Sequence, residues 1–90
     1  MHEQALMDDL IGKVVAVSEA EGGVAVIGVK VWLGALSHFT PEHFREHFVE
    51  AARGTCAEGA AVETELDDDI TDHRAAGVVL RSVVVRAAGS

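Results

Sequence analysis

Apolar residues recur along the chain in two different periods, and the change of period marks out the elements. From about Glu3 to Glu19, Leu6, Met7, Leu10, Ile11, Val14 and Val17 return at three- and four-residue intervals, the period of one helix face. Gly22-Gly23 stops that helix. Val24, Val26, Val29, Val31 and Leu33 then alternate, with a change of phase near Ile27-Gly28 that reads as a strand with a bulge at Gly28. After a loop at Gly34-Ala35-Leu36-Ser37 comes the strongest helix start in the chain. Thr40 stands as N-cap, Pro41 takes the first helical position, and Glu42 suits the positive end of the helix dipole.

Phe44, Phe48 and Ala51/Ala52 form the buried stripe of this second helix, which Gly54 ends. Thr55 to Gly59 is a loop, and Ala60 to Leu66 alternates as a second strand. An acidic connection from Asp67 to about Ala76 leads to Val78-Val79-Leu80 and Val83-Val84-Val85, a third strand either long or broken at Arg81-Ser82. The fold expected is α+β: two helices packed on a small three-stranded sheet in the order α-β-α-β-β. The last two strands, adjacent in sequence, are expected to form an antiparallel hairpin.

Ninety residues make one domain, near the lower limit for a self-sufficient core. The hydrophobic fraction of 49% is mostly Ala and Val, with three Phe and one Trp, so the core should be thin. A homodimer would bury more apolar surface. The formal charge of -8, from 15 acidic and seven basic residues, repels phosphate backbones and anionic lipid, which argues against nucleic-acid and membrane-surface partners. No apolar run approaches the roughly 20 residues that span a bilayer. Met1-His2-Glu3-Gln4 lacks the basic and apolar regions of a signal peptide, so the expected location is cytoplasmic. With Cys56 the single cysteine, no internal disulfide or four-cysteine zinc knot can form.

Three groups could carry chemistry. A free amine at Met1, the backbone amide nitrogen of His2 and the His2 imidazole make a planar nitrogen set suited to Ni(II) or Cu(II), and Glu3 adds an amide or carboxylate. Taken alone, such a beginning says little, since chain ends are commonly frayed. His43 and His47 share a helix face near Glu46 and Glu50, as metal-binding pairs do, and His38 precedes them. Packing against the Phe44/Phe48 stripe would explain His47 as well, and two histidines are too few for a closed zinc site. Asp67-Asp68-Asp69, Asp72 and His73 lack EF-hand spacing and read as a solvated turn. Cys56 is a lone cysteine, weak ground for a nucleophile, and there is no phosphate loop, nucleophile elbow or HExxH motif.

Three segments together resemble the HypA/HybF family of nickel metallochaperones, which serve hydrogenase and urease maturation. Met1-His2-Glu3 opens the chain as it opens family members. Val31-Trp32-Leu33-Gly34-Ala35-Leu36-Ser37 through Pro41-Glu42 is similar to the family's strand, turn and helix start. Gly54-Thr55-Cys56-Ala57-Glu58-Gly59-Ala60 is similar to its G-T-x-A-E-G-A loop. The likeness covers about residues 1 to 66, and the last strand fits as well. It implies a nickel-binding accessory protein, not an enzyme, that delivers Ni(II) to a maturing enzyme such as hydrogenase. Its ligands would be Met1, His2 and Glu3, with His38 as an extra ligand at most. Its partners would be a GTPase of the HypB type and a hydrogenase or urease precursor.

The family's zinc-ribbon module, with two C-x-x-C pairs, falls between the second and third strands. Here that interval holds only the acidic connection at 67–76, so residues 1–90 are expected to form one HypA-like domain without structural zinc. The competing reading is a metal-independent protein-interaction module of the same fold that has lost metal handling. A third is a small hydrolase using His43, His47 and a carboxylate.

Overall fold

The structure, a computed structural model, describes residues 2–86, with side chains described from residue 4 onward. The elements are α1 (His2–Ala20), β1 (Val26–Leu33), α2 (Pro41–Ala52), β2 (Ala61–Leu66) and β3 (Val78–Val85). This is the α-β-α-β-β order and the α+β class that the periodicity implies.

Helix α1 buries Met7, Leu10, Ile11, Val14 and Ser18, a stripe running i, i+3, i+4, i+7, i+11. Val17, expected on that stripe, is exposed, and Ser18 takes the buried place. A hydroxyl is tolerated there because Ser18 Oγ donates to the Val24 carbonyl, which also ties the helix end to the approach of β1. The helix stops as Gly22-Gly23 implies: Gly23 N–H donates to Ser18 O and Gly22 N–H to Glu19 O, the two bonds of a Schellman cap. The φ of 95° at Gly22 is one that only glycine adopts cheaply.

Helix α2 opens on Thr40, whose Oγ1 accepts from the His43 N–H at 3.1 Å, with Pro41 next. Its Phe44, Phe48 and Ala52 enter one core with Met7, Leu10, Val14, Val29, Val31 and Leu33, so both helices close over the sheet.

The sheet departs from expectation in its order, β2-β1-β3, with β1 parallel to β2 and antiparallel to β3. The expected β2–β3 hairpin does not form; β1 lies between those strands. The physical reason is burial. Strand β1 carries Val26, Val29, Val31, Trp32 and Leu33 into the interior, whereas no residue of β2 is fully buried. The most apolar strand takes the place where both of its edges are paired, and AVETEL, with Glu63, Thr64 and Glu65 polar in succession, takes an edge.

Strand β3 is long rather than broken. Arg81 is an extra residue between Ser82, opposite Lys30, and Leu80, opposite Val31, so the polar pair is absorbed as a bulge. A second irregularity leaves Ile27 between the pairs Val26↔Val85 and Gly28↔Val84, beside the position where the phase of β1 changes.

Because Leu33 pairs with Leu66 on one side and with Val78 on the other, the connection 67–77 must cross the end of β1. It does so closely. Asp67 N–H donates to Leu33 O at 3.0 Å, Gly34 N–H to Gly77 O at 3.0 Å, and Leu36 N–H to Ala75 O at 2.7 Å. Trp32 and Ala75 are buried outside the main core, with the Arg74 guanidinium over the indole at 4.9 Å.

Candidate functional site

Of the ligands expected from the sequence, the backbones of His2 and Glu3 lie in the first turn of α1. The helix backbone begins at His2; Met1 and the side chains of His2 and Glu3 lie outside the described residues. Among the described residues, no group of three or more His, Cys, Asp or Glu side chains is gathered closely enough to hold an ion.

The histidines on α2 do come together. His43 Nε2 and His47 Nε2 are 2.8 Å apart, one ring donating and the other accepting according to tautomer. Their ring centroids are 4.5 Å apart, and buried Phe39 packs on both, at 5.7 Å from His43 and 6.3 Å from His47. A separation of four residues, close to one helical turn, places the two side chains one above the other, so the contact follows from sequence spacing. His43, Glu46, His47 and Glu50 line one shallow depression of about 300 Å³. Glu50 also pairs with Arg53 at 3.3 Å.

His38, sequentially close to this pair, is exposed and has a φ of 66°, a left-handed conformation that a β-carbon disfavours. It forms the corner between the 34–37 turn and Thr40, where Ser37 Oγ accepts from Phe39 N–H. No sequence pattern announces that strain.

The acidic connection satisfies its own polar groups. Asp69 Oδ1 accepts from Thr71 N–H at 2.9 Å and from Thr71 Oγ1 at 2.6 Å, which lowers the Asp69 pKa. Asp72 accepts from the Arg74 backbone N–H at 2.7 Å and from its guanidinium at 3.2 and 3.1 Å. Those bonds, the side-chain ones foremost, hold the Asp72 carboxyl down at about 2. The segment is a self-closed turn, as its lack of EF-hand spacing suggests. Cys56 is half-buried and packs against the core, while its carbonyl accepts from Val26 N–H at 2.9 Å, a structural placement.

Residues 1–71 match the family described as hydrogenase/urease nickel incorporation, metallochaperone, hypA. The chain belongs to the HypA family. Among its relatives, the hydrogenase maturation factor HypA of Chlorobium limicola is 35% identical over 65 residues, covering 72% of this chain and 56% of that protein. HypA of Pyrococcus furiosus is 35% identical over 79 residues, 88% of this chain and 57% of that protein. HypA of Archaeoglobus fulgidus is 33% identical over 67 residues, 74% and 61% respectively. The chain thus spans little more than half the length of the HypA proteins it matches. The HypA match takes in α1, β1, α2 and β2 and ends within the acidic connection.

Proposed function

We propose that this chain is a nickel carrier that holds Ni(II) at Met1, His2 and Glu3 and delivers it during maturation of a nickel enzyme such as hydrogenase. The observation that carries the reading is the HypA match, which begins at residue 1 and so includes the Met-His-Glu segment. Elementary coordination chemistry supports it. A terminal amine, a deprotonated amide and an imidazole present adjacent nitrogens in a plane, the donor set and geometry that Ni(II) favours. Each donor must shed a proton or stay unprotonated to bind, so uptake weakens as pH falls.

The carrier acts with a GTPase of the HypB type and a hydrogenase or urease precursor, in the cytoplasm, and does no catalysis of its own. It works without structural zinc: the family match stops inside the 67–77 connection, and Cys56 is the only cysteine in the chain. Among the described residues no helix is long and apolar enough to cross a membrane.

The test is calorimetric titration with Ni(II) of the native chain, of His2→Ala, and of a chain acetylated at Met1. Tight uptake by the native chain and a loss of at least tenfold in affinity in both altered forms are expected. Equal affinity in all three would refute the reading, and no uptake by any of them would favour the metal-independent interaction module.

A further inference from the structure

We propose that His43 and His47 form a second metal site, a two-nitrogen clasp on α2 for a divalent transition ion of the Ni(II), Cu(II) or Zn(II) type. It goes beyond the carrier reading and is argued from residues of α2 and Phe39.

The geometry comes first. Two donors bonded to one ion at about 2.0 Å, roughly 90° apart, stand about 2.8 Å from each other. The Nε2 atoms of His43 and His47 are 2.8 Å apart. The separation already matches that of two cis donors; to take an ion, the ring that donates in the imidazole pair carries its proton on Nδ1 and the rings turn until both Nε2 lone pairs converge on the metal. Imidazole nitrogen suits nickel, copper and zinc, and excludes magnesium and calcium, which prefer oxygen.

The rings are also held. Both are half-buried, on consecutive turns of a helix whose neighbouring Phe44 and Phe48 are fixed in the core. Phe39, itself buried, packs against both imidazoles. Little rotamer freedom is left to lose on binding, which is the advantage of a preorganised pair.

The outer side of the site is open. Glu46 and Glu50 line the same depression and make its surroundings attractive to a cation, within a chain of net charge -8. Coordination positions that the two nitrogens leave unfilled are accessible to water from this open side. A clasp of two nitrogens on an open face exchanges its ion readily, unlike a closed four-ligand site.

The experiment uses the full chain with its amine acetylated and His2→Ala, so that the terminal site is disabled whatever its role. Zn(II) and Ni(II) are titrated into it by calorimetry, in parallel with the same chain carrying His43→Gln and His47→Gln. The expected result is one bound ion per chain in the first and at least a tenfold weaker affinity in the second. Uptake of no ion by the first, or equal uptake by both, overturns the proposal. Nitrogen NMR on the acetylated chain supplies a readout that needs no histidine variant: Zn(II) should shift both Nε2 resonances, and two unmoved resonances would overturn it. Failure of the terminal site would show instead as unchanged affinity between the native and acetylated chains, so the two readings fail separately.

Discussion

Replacing Gly34 by Ala should damage the fold far more than one methyl group suggests. An added β-carbon would stand 2.2 Å from the Ala75 carbonyl oxygen, 2.6 Å from its carbon and 2.9 Å from the Arg74 oxygen. All three are backbone atoms of the connection crossing β1, so no side-chain rotation relieves the clash. The connection must retreat by about 1 Å, and overpacking of that kind costs about 1–3 kcal/mol. The Gly34–Gly77 and Leu36–Ala75 bonds, at 3.0 and 2.7 Å, stretch as it does. Each contributes about 0.5–1.5 kcal/mol when intact and is weakened rather than lost, so a total cost of about 2–4 kcal/mol is expected. Against the roughly 5–10 kcal/mol typical of a small domain, that is a large fraction.

The control is Gly12→Ala, on exposed α1 surface with nothing near the added atom, which should gain about 0.5–1 kcal/mol from helix propensity. Urea denaturation followed by circular dichroism measures both, and the two midpoints should move in opposite directions. At about 4–8 °C per kcal/mol for a domain of this size, Gly34→Ala should also lower Tm by at least about 10 °C. A Gly34→Ala midpoint within about 0.5 kcal/mol of the parent would refute the close crossing.

Three further outcomes are expected. Thr40→Ala removes the acceptor of the His43 N–H and should cost about 1 kcal/mol in the same denaturation assay. His38→Gly exchanges a left-handed strain of about 1–2 kcal/mol for glycine's extra chain entropy of about 0.5–1 kcal/mol, so stability should hold or rise by up to about 1.5 kcal/mol. Nickel titration of that variant should match the parent, and a clear loss would make His38 a ligand. Asp72, held at about 2 by Arg74, adds stability that is complete above the carboxyl's ordinary pKa and fades as pH falls toward 2. Acid titration should therefore show Asp72→Asn losing less stability than the parent between about pH 4 and pH 2; parallel curves would refute the pairing.

Much of this was legible in local pattern. Thr40-Pro41 and Gly54 bracket α2 because capping and φ preference act within a few residues, and the stripe on α1 follows from its period. Sheet order was not legible. Sequence adjacency favours a β2–β3 hairpin, and only the competition among all three strands for buried positions puts β1 in the centre. Ser18 was missed because a hydroxyl reads as surface until the Val24 carbonyl is brought to it. The His43–His47 contact was implied by spacing, but the Phe39 ring that steadies it comes from outside the helix. Met1, His2 and Glu3 rest on chelate chemistry and family likeness.

The central position of β1 has an architectural consequence. The exit of β2 and the entrance of β3 face each other across one strand, roughly 10 Å apart at ordinary strand spacing. That gap is a port: a short turn closes it, and an independent folding unit could be grafted there with both of its ends already side by side. Additions at this rim leave every rung of both ladders in place, provided that Asp67, Ala75 and Gly77 keep their bonds to Leu33, Leu36 and Gly34.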